Sequence, residues 1–156
     1  MNKENLLFIS FKPINNHFRG FLTIEAAFST NLNPEVLISK ATKIYDHSIR
    51  RMTTILAEIK TARLSRRLVK AHKIWEMGDA VFSLRHKLEE LNLQIDGVYD
   101  HITRDLNVKK KWLEKAIILR RYLPNKNLIP ESLNWGRLEK GTRKKAERLR
   151  SGLPIS

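Results

Sequence analysis

The sequence predicts an all-α protein with a long N-terminal helix, a helical core bearing a helix-turn-helix, and a basic C-terminal helix. Three observations predict it. Residues 35–75 hold neither Gly nor Pro, and Ile38, Tyr45, Ile49, Met52, Leu56 and Ile59 recur there at spacings of seven, four, three, four and three. That is a helical stripe of near-heptad character. Residues 99–122 carry the apolar spacing of two short helices around a tight turn. Residues 137–150 hold seven basic side chains against two acidic ones.

Composition sets the bounds. A chain of 156 residues with 42% hydrophobic content is long enough for one domain and an arm, and it argues against wholesale disorder. The absence of Cys excludes disulfides, thiolate metal sites and a Cys nucleophile, and fits a reducing compartment. The apolar run Leu6–Ile9 is far below the ~20 residues of a membrane span. Met1–Lys12 mixes charges and lacks the pattern of a secretory signal, so a cytoplasmic protein is expected, nucleoid-associated if it binds DNA. With 30 Lys+Arg against 16 Asp+Glu, the formal charge of +14 predicts a polyanionic partner. Nucleic acid is the first expectation, ahead of an anionic membrane surface or an acidic assembly partner.

Residues 1–33 form an arm rich in Phe and Asn, punctuated by Pro13 and Gly20. Phe8–Phe11 reads as a short strand and Leu22–Phe28 as one or two helical turns. The helical domain is expected over 34–156. Asn33 suits an N-cap, Pro34 the first helical position and Glu35 the positive helix end. The first helix is expected over 34–75, its apolar stripe packing on the core or pairing with a second copy through residues 36–60. Its last turns become basic at Lys60, Arg63, Arg66, Arg67, Lys70 and Lys73, with Leu64, Leu68, Ala71 and Trp75 continuing an apolar stripe. A second helix is expected from about Ile74 to Leu93, with Trp75, Phe82 and Leu88 inward and Gly78 permitting a close contact or a bend. The chain breaks near Asp96-Gly97. After a loop at 122–127, a C-terminal helix is expected over 130–151, interrupted by Gly136 and Gly141.

The helix-turn-helix is expected over 95–122. Its first helix ends near Leu106, and Asn107 takes the tight turn because Asn tolerates positive φ. Val108 plugs the angle between the helices. Leu113, Ala116 and then Leu119 or Ile117 face Ile102 and Leu106. Lys109, Lys110 and Lys111 stand at the start of the second helix, where cations oppose the macrodipole at roughly 0.3–1 kcal/mol each. They make sense there if phosphates or base edges meet that end. Glu114 and Lys115 complete the expected contact face; Glu114 suits a cytosine amino group or a neighbouring Lys. Trp112 reads as core or as packing beside the phosphates.

Residues 44–150 resemble the helical N-terminal DNA-binding domain of a group of bacterial PD-(D/E)XK nucleases. The elements that carry the likeness are Ile74-Trp75-Glu76-Met77-Gly78, then Ile102–Leu113, then Leu133-Asn134-Trp135. Gly136 stands where that family usually has His. The resemblance implies DNA binding, and cleavage is not expected because these 156 residues include no nuclease segment.

No catalytic constellation is found. The five His form no metal-ligand spacing, and neither phosphate-binding Gly-rich loops nor a G-x-S-x-G elbow occurs. Asp96, Asp100 and Asp105 with Lys109 are the nearest approach to a carboxylate cluster and read as solvated helix ends. The expectation is a protein without enzymatic activity, cofactor or metal. It would bind double-stranded DNA, with the helix of residues 108–121 in the major groove. Arg63, Arg66, Arg67, Lys70 and Lys73 on one face, and Arg143, Lys144, Lys145 and Arg148 on another, would hold phosphates. The alternatives are a small basic subunit of a ribonucleoprotein or larger complex, and a coiled-coil adaptor for an acidic protein.

Overall fold

The computed structural model describes residues 7–14, 17–22, 34–91, 93–95 and 97–155. Five α-helices carry the fold: α1 (Pro34–Leu64), α2 (Ala71–Glu90), α3 (Val98–Leu106), α4 (Lys110–Tyr122) and α5 (Thr142–Arg150). Three short strands, β1 (Leu7–Ile14), β2 (His17–Leu22) and β3 (Leu93–Ile95), form a small sheet in the order β2-β1-β3. The expected helical fold is therefore present, with the sheet as an addition. The strand expected at Phe8–Phe11 lies within β1; the turns expected over Leu22–Phe28 lie almost wholly outside the described residues. β1 and β2 form an antiparallel hairpin, with Phe11 opposite Gly20. β1 pairs in parallel with β3, Leu7 against Leu93, which ties the N-terminal arm to the segment after α2.

The stripe on α1 is spent inside the chain. Leu37, Ala41, Tyr45, Met52, Leu56 and Ile59 are buried in one core with α2, α3 and α4. Core packing accounts for these side chains, while Ile38 and Ile49 of the same stripe are partly buried.

α1 does not run to Trp75. It stops at Leu64, where Arg66 turns to φ 56°. Two hydrogen bonds close the end: Arg66 N–H donates to the Arg63 carbonyl at 3.1 Å and Arg67 N–H to the Ala62 carbonyl at 2.8 Å. This is a Schellman cap with Arg in the position usually held by Gly. The break frees Val69 and Lys70 to meet a distant loop. Trp135 N–H donates to the Val69 carbonyl at 2.8 Å, and Ala71 N–H to the Leu133 carbonyl at 2.9 Å. Leu64 and Leu68, expected to continue an apolar stripe, are 86% and 70% exposed.

Two further boundaries differ from expectation. The second helix begins at Ala71 and ends at Glu90, since Leu93 leaves it for β3. The C-terminal helix spans only Thr142–Arg150; residues 130–141 are turns and a 3₁₀ turn at Trp135–Arg137. Gly141 enters α5 at φ 69°, a conformation that sets the helix start there rather than at Pro130.

Candidate nucleic-acid interface

α3 and α4 form the helix-turn-helix pair at the expected place. Asn107 sits at φ 52°, ψ 52°, its N–H donating to the Arg104 carbonyl at 3.3 Å. Val108 N–H donates to the Thr103 carbonyl at 3.0 Å, so α3 ends in a second Schellman cap. α4 then starts after Lys109, whose side chain makes no cap, and no acidic residue lies in its first turn. Leu113, Ala116, Ile117 and Leu119 are buried with Ile102 and Leu106. Trp112 is partly buried against the same core. The opposite face of α4 presents Lys110, Lys111, Glu114 and Arg121 to solvent, with Lys115 half-buried beside them. Arg121 was missed in the sequence; its position seven residues after Glu114 on one helix face was the signal.

Three contacts hold α4 in place. Gly78 of α2 lies against the Ala116 backbone, and the Trp75 indole N–H donates to the Leu123 carbonyl at 2.7 Å. Asp79 accepts from Arg120 Nε at 2.8 Å and from Arg51 at 3.0 Å, joining α2 to both α4 and α1. Burial works to raise the Asp79 pKa, but the hydrogen bonds and charges of the two arginines outweigh it, and the carboxyl ends below its ordinary value. The Arg120 guanidinium also covers the Trp75 and Phe82 rings, 5.2 and 4.8 Å from their centroids. α3 is anchored separately: the Tyr45 hydroxyl of α1 donates to Asp105 Oδ2 at 2.5 Å. Trp75 and Gly78 are thus seated on α4, and Trp135 is bonded just ahead of α2.

The predicted basic residues divide into two groups. α2 and α4 pack antiparallel, with Trp75 by Leu123 and Gly78 by Ala116. Lys109, Lys110 and Lys111 therefore lie at the end of the pair near Arg85 and Tyr99, where Lys110 lines a recess and pairs with Asp100 at 3.1 Å. Lys70 lies at the other end, about 20 Å away along α4 at 1.5 Å per residue. Arg63, Arg66, Arg67 and Lys70 are exposed there. Lys73 is not available as expected: it is half-buried between Glu58 and Glu76, and its hydrogen bond to Glu58 raises its pKa. In the C-terminal group, Arg143 stacks over the Tyr122 ring at 5.1 Å and pairs with Glu147 at 3.3 Å. Lys144 is exposed. Lys145 Nζ donates to the Arg137 carbonyl at 2.6 Å and Arg148 Nε to the Pro154 carbonyl at 2.6 Å, so both also brace the chain end.

Asp100 and Asp105 are occupied by Lys110 and Tyr45, while Asp96 lies outside the described residues. Among the described residues no three His, Cys, Asp or Glu side chains group as metal ligands, and no helix is long and apolar enough to cross a membrane. Comparison with protein-family models, curated proteins and solved structures finds no match to this chain.

Proposed function

We propose that the protein is a non-catalytic double-stranded DNA-binding protein whose α4 enters the major groove. The observation that carries this reading is the outward face of α4, where Lys110, Lys111, Lys115 and Arg121 flank Glu114 while the inward face is locked to α2. A helix held this way offers its N-terminal side chains to base edges and phosphates. The helix starts point the same way. α2, α4 and α5 begin after Lys70, Lys109 and Gly141, with neither a side-chain cap nor an acid in the first turn. Each start combines the positive helix pole with nearby cations, an arrangement a polyanion would stabilise. The likeness of residues 44–150 to the DNA-binding domain of PD-(D/E)XK nucleases supports the same assignment.

The test is fluorescence anisotropy with one sequence presented as duplex DNA, single-stranded DNA and structured RNA across a salt series. Duplex preference with a log–log salt slope of several units is expected. Replacing Lys110, Lys111 and Lys115 by Ala should weaken duplex binding at least ~10-fold, with unchanged melting. Equal binding by that variant would remove α4 as the reading helix. Tighter binding to RNA would favour a ribonucleoprotein subunit.

A further inference from the structure

The turn between α1 and α2 has a character that phosphate binding does not explain. Leu64 and Leu68 stand 86% and 70% exposed among Arg63, Arg66, Arg67 and Lys70. A phosphate backbone gains nothing from two exposed leucines, and isolated charge clamps do not need them. The turn is also held in a costly form, since Arg66 occupies the left-handed region without being Gly. Leu68 and Val69 line two adjoining recesses that share Asn134.

We propose that the Leu64–Lys70 turn and the recesses at Asn134 and Trp135 dock an acidic, leucine-bearing amphipathic segment of a partner protein. Charge complementarity chooses the occupant. The rim is basic through Arg63, Arg67, Lys70 and Arg137; Glu139 lies beside it, and the nearby Glu58 is engaged by Lys73. A second copy of a chain with formal charge +14 would meet this rim with repulsion, whereas an acidic helix or strand brings attraction and apolar anchors together. A flat lipid surface would meet the exposed leucines and cations but would not fill the two recesses beside them. The site lies at the Lys70 end of α2, apart from the Lys109–Lys111 end of α4, so the partner segment leaves the outward face of α4 to DNA and shares only the start of α2 with it.

The test uses a labelled peptide of about 16 residues, ~4 helical turns, with Leu at helical spacing and Glu elsewhere. Its control has every Leu replaced by Ser at the same charge. Anisotropy should show binding of the Leu/Glu peptide by the full chain, weakened at least ~10-fold by Leu64→Ser with Leu68→Ser. Duplex affinity should stay unchanged in that variant. Arg67→Glu, a single exposed charge reversal, should weaken the peptide in the same direction and keeps the test sound if the double variant melts early. The proposal is overturned if the Ser/Glu control binds as tightly, if neither variant affects the peptide, or if the wild type does not bind it. It is equally overturned if the leucine variant loses duplex DNA, or if vesicles of anionic lipid bind with the same leucine dependence while the peptide does not.

Discussion

Gly78 and Ala116 meet so closely that a Cβ on Gly78 would sit 2.2 Å from the Ala116 carbonyl oxygen and 2.9 Å from Arg120 Cβ. The oxygen belongs to the α4 backbone, so it cannot swing aside as a side chain would. Ala is the better helix former by about 0.8–1 kcal/mol, yet overpacking at a rigid contact costs about 1–3 kcal/mol. Gly78→Ala is therefore expected to lower stability, with a melting temperature several degrees below wild type in a calorimetric scan. An unchanged or raised melting temperature would mean that α2 and α4 are not packed backbone to backbone. Duplex affinity should fall with it under conditions where the variant remains folded, because the contact sets the pose of α4.

Asp79 pairs with both Arg51 and Arg120. Removing it leaves two half-buried guanidinium groups without their carboxylate, so Asp79→Ala should cost about 1–3 kcal/mol at neutral pH, between the surface and buried limits for ion pairs. The pH dependence has a definite sign. A folded-state pKa below the ordinary value contributes stability above the unfolded value and loses it as pH falls through the folded one. Urea titrations at pH 7 and in the acid range should show the wild-type advantage over Asp79→Ala shrinking below about pH 4. A gap that stays constant with pH would remove the carboxylate as its cause.

Asp105 has the opposite sign. Burial is the main influence raising its pKa and Asp46 adds to it, against the hydrogen bond from Tyr45 and the charges of Arg104 and His101. A raised folded-state pKa contributes stability at acid pH and loses it as pH rises through that value. Asp105→Asn keeps an acceptor for the Tyr45 hydroxyl and removes the charge. It should therefore be neutral or slightly stabilising at pH 7, by less than about 1 kcal/mol because the carboxyl is well exposed to screening. Tyr45→Phe should instead cost about 1 kcal/mol through the lost hydrogen bond. If Asp105→Asn proves as damaging as Tyr45→Phe at pH 7, the charged form is what the bond requires.

Arg66 holds the turn after α1 at φ 56°, where a Cβ is disfavoured by roughly 1–2 kcal/mol. Arg66→Gly relieves that strain but adds about 0.4–1 kcal/mol of unfolded-state entropy. A net gain of a few tenths to ~1 kcal/mol is expected, while Arg66→Val should destabilise. Thermal melts of the pair decide it, and a Val variant as stable as wild type would contradict the left-handed turn.

Much of the candidate site was legible because it depends on local chemistry. The turn at Asn107 follows from the tolerance of Asn for positive φ. The inward Leu113 and Ala116 follow from a 3.6-residue period, and the outward lysines follow by elimination. The stripe of Tyr45, Met52, Leu56 and Ile59 was legible in the same way. The end of α1 was not. Leu64-Ser65-Arg66 carries neither Gly nor Pro, and nothing local forbids another helical turn. It is the pairing of Val69 with Trp135, distant in sequence, that accompanies the break.

The sequence by itself determined the helical periods, the turn at Asn107, the excess of positive charge and the absence of Cys chemistry, since each is a property of residue type and short-range spacing. Only the tertiary structure decided which stripe would be covered and which cations would remain outward. It joined Lys73 to Glu58 and Glu76, set Asp79 between two arginines, and left Leu64 and Leu68 in solvent. The physical reason is range: helical spacing acts over a few residues, whereas ion pairing and burial depend on which distant segments the core brings together.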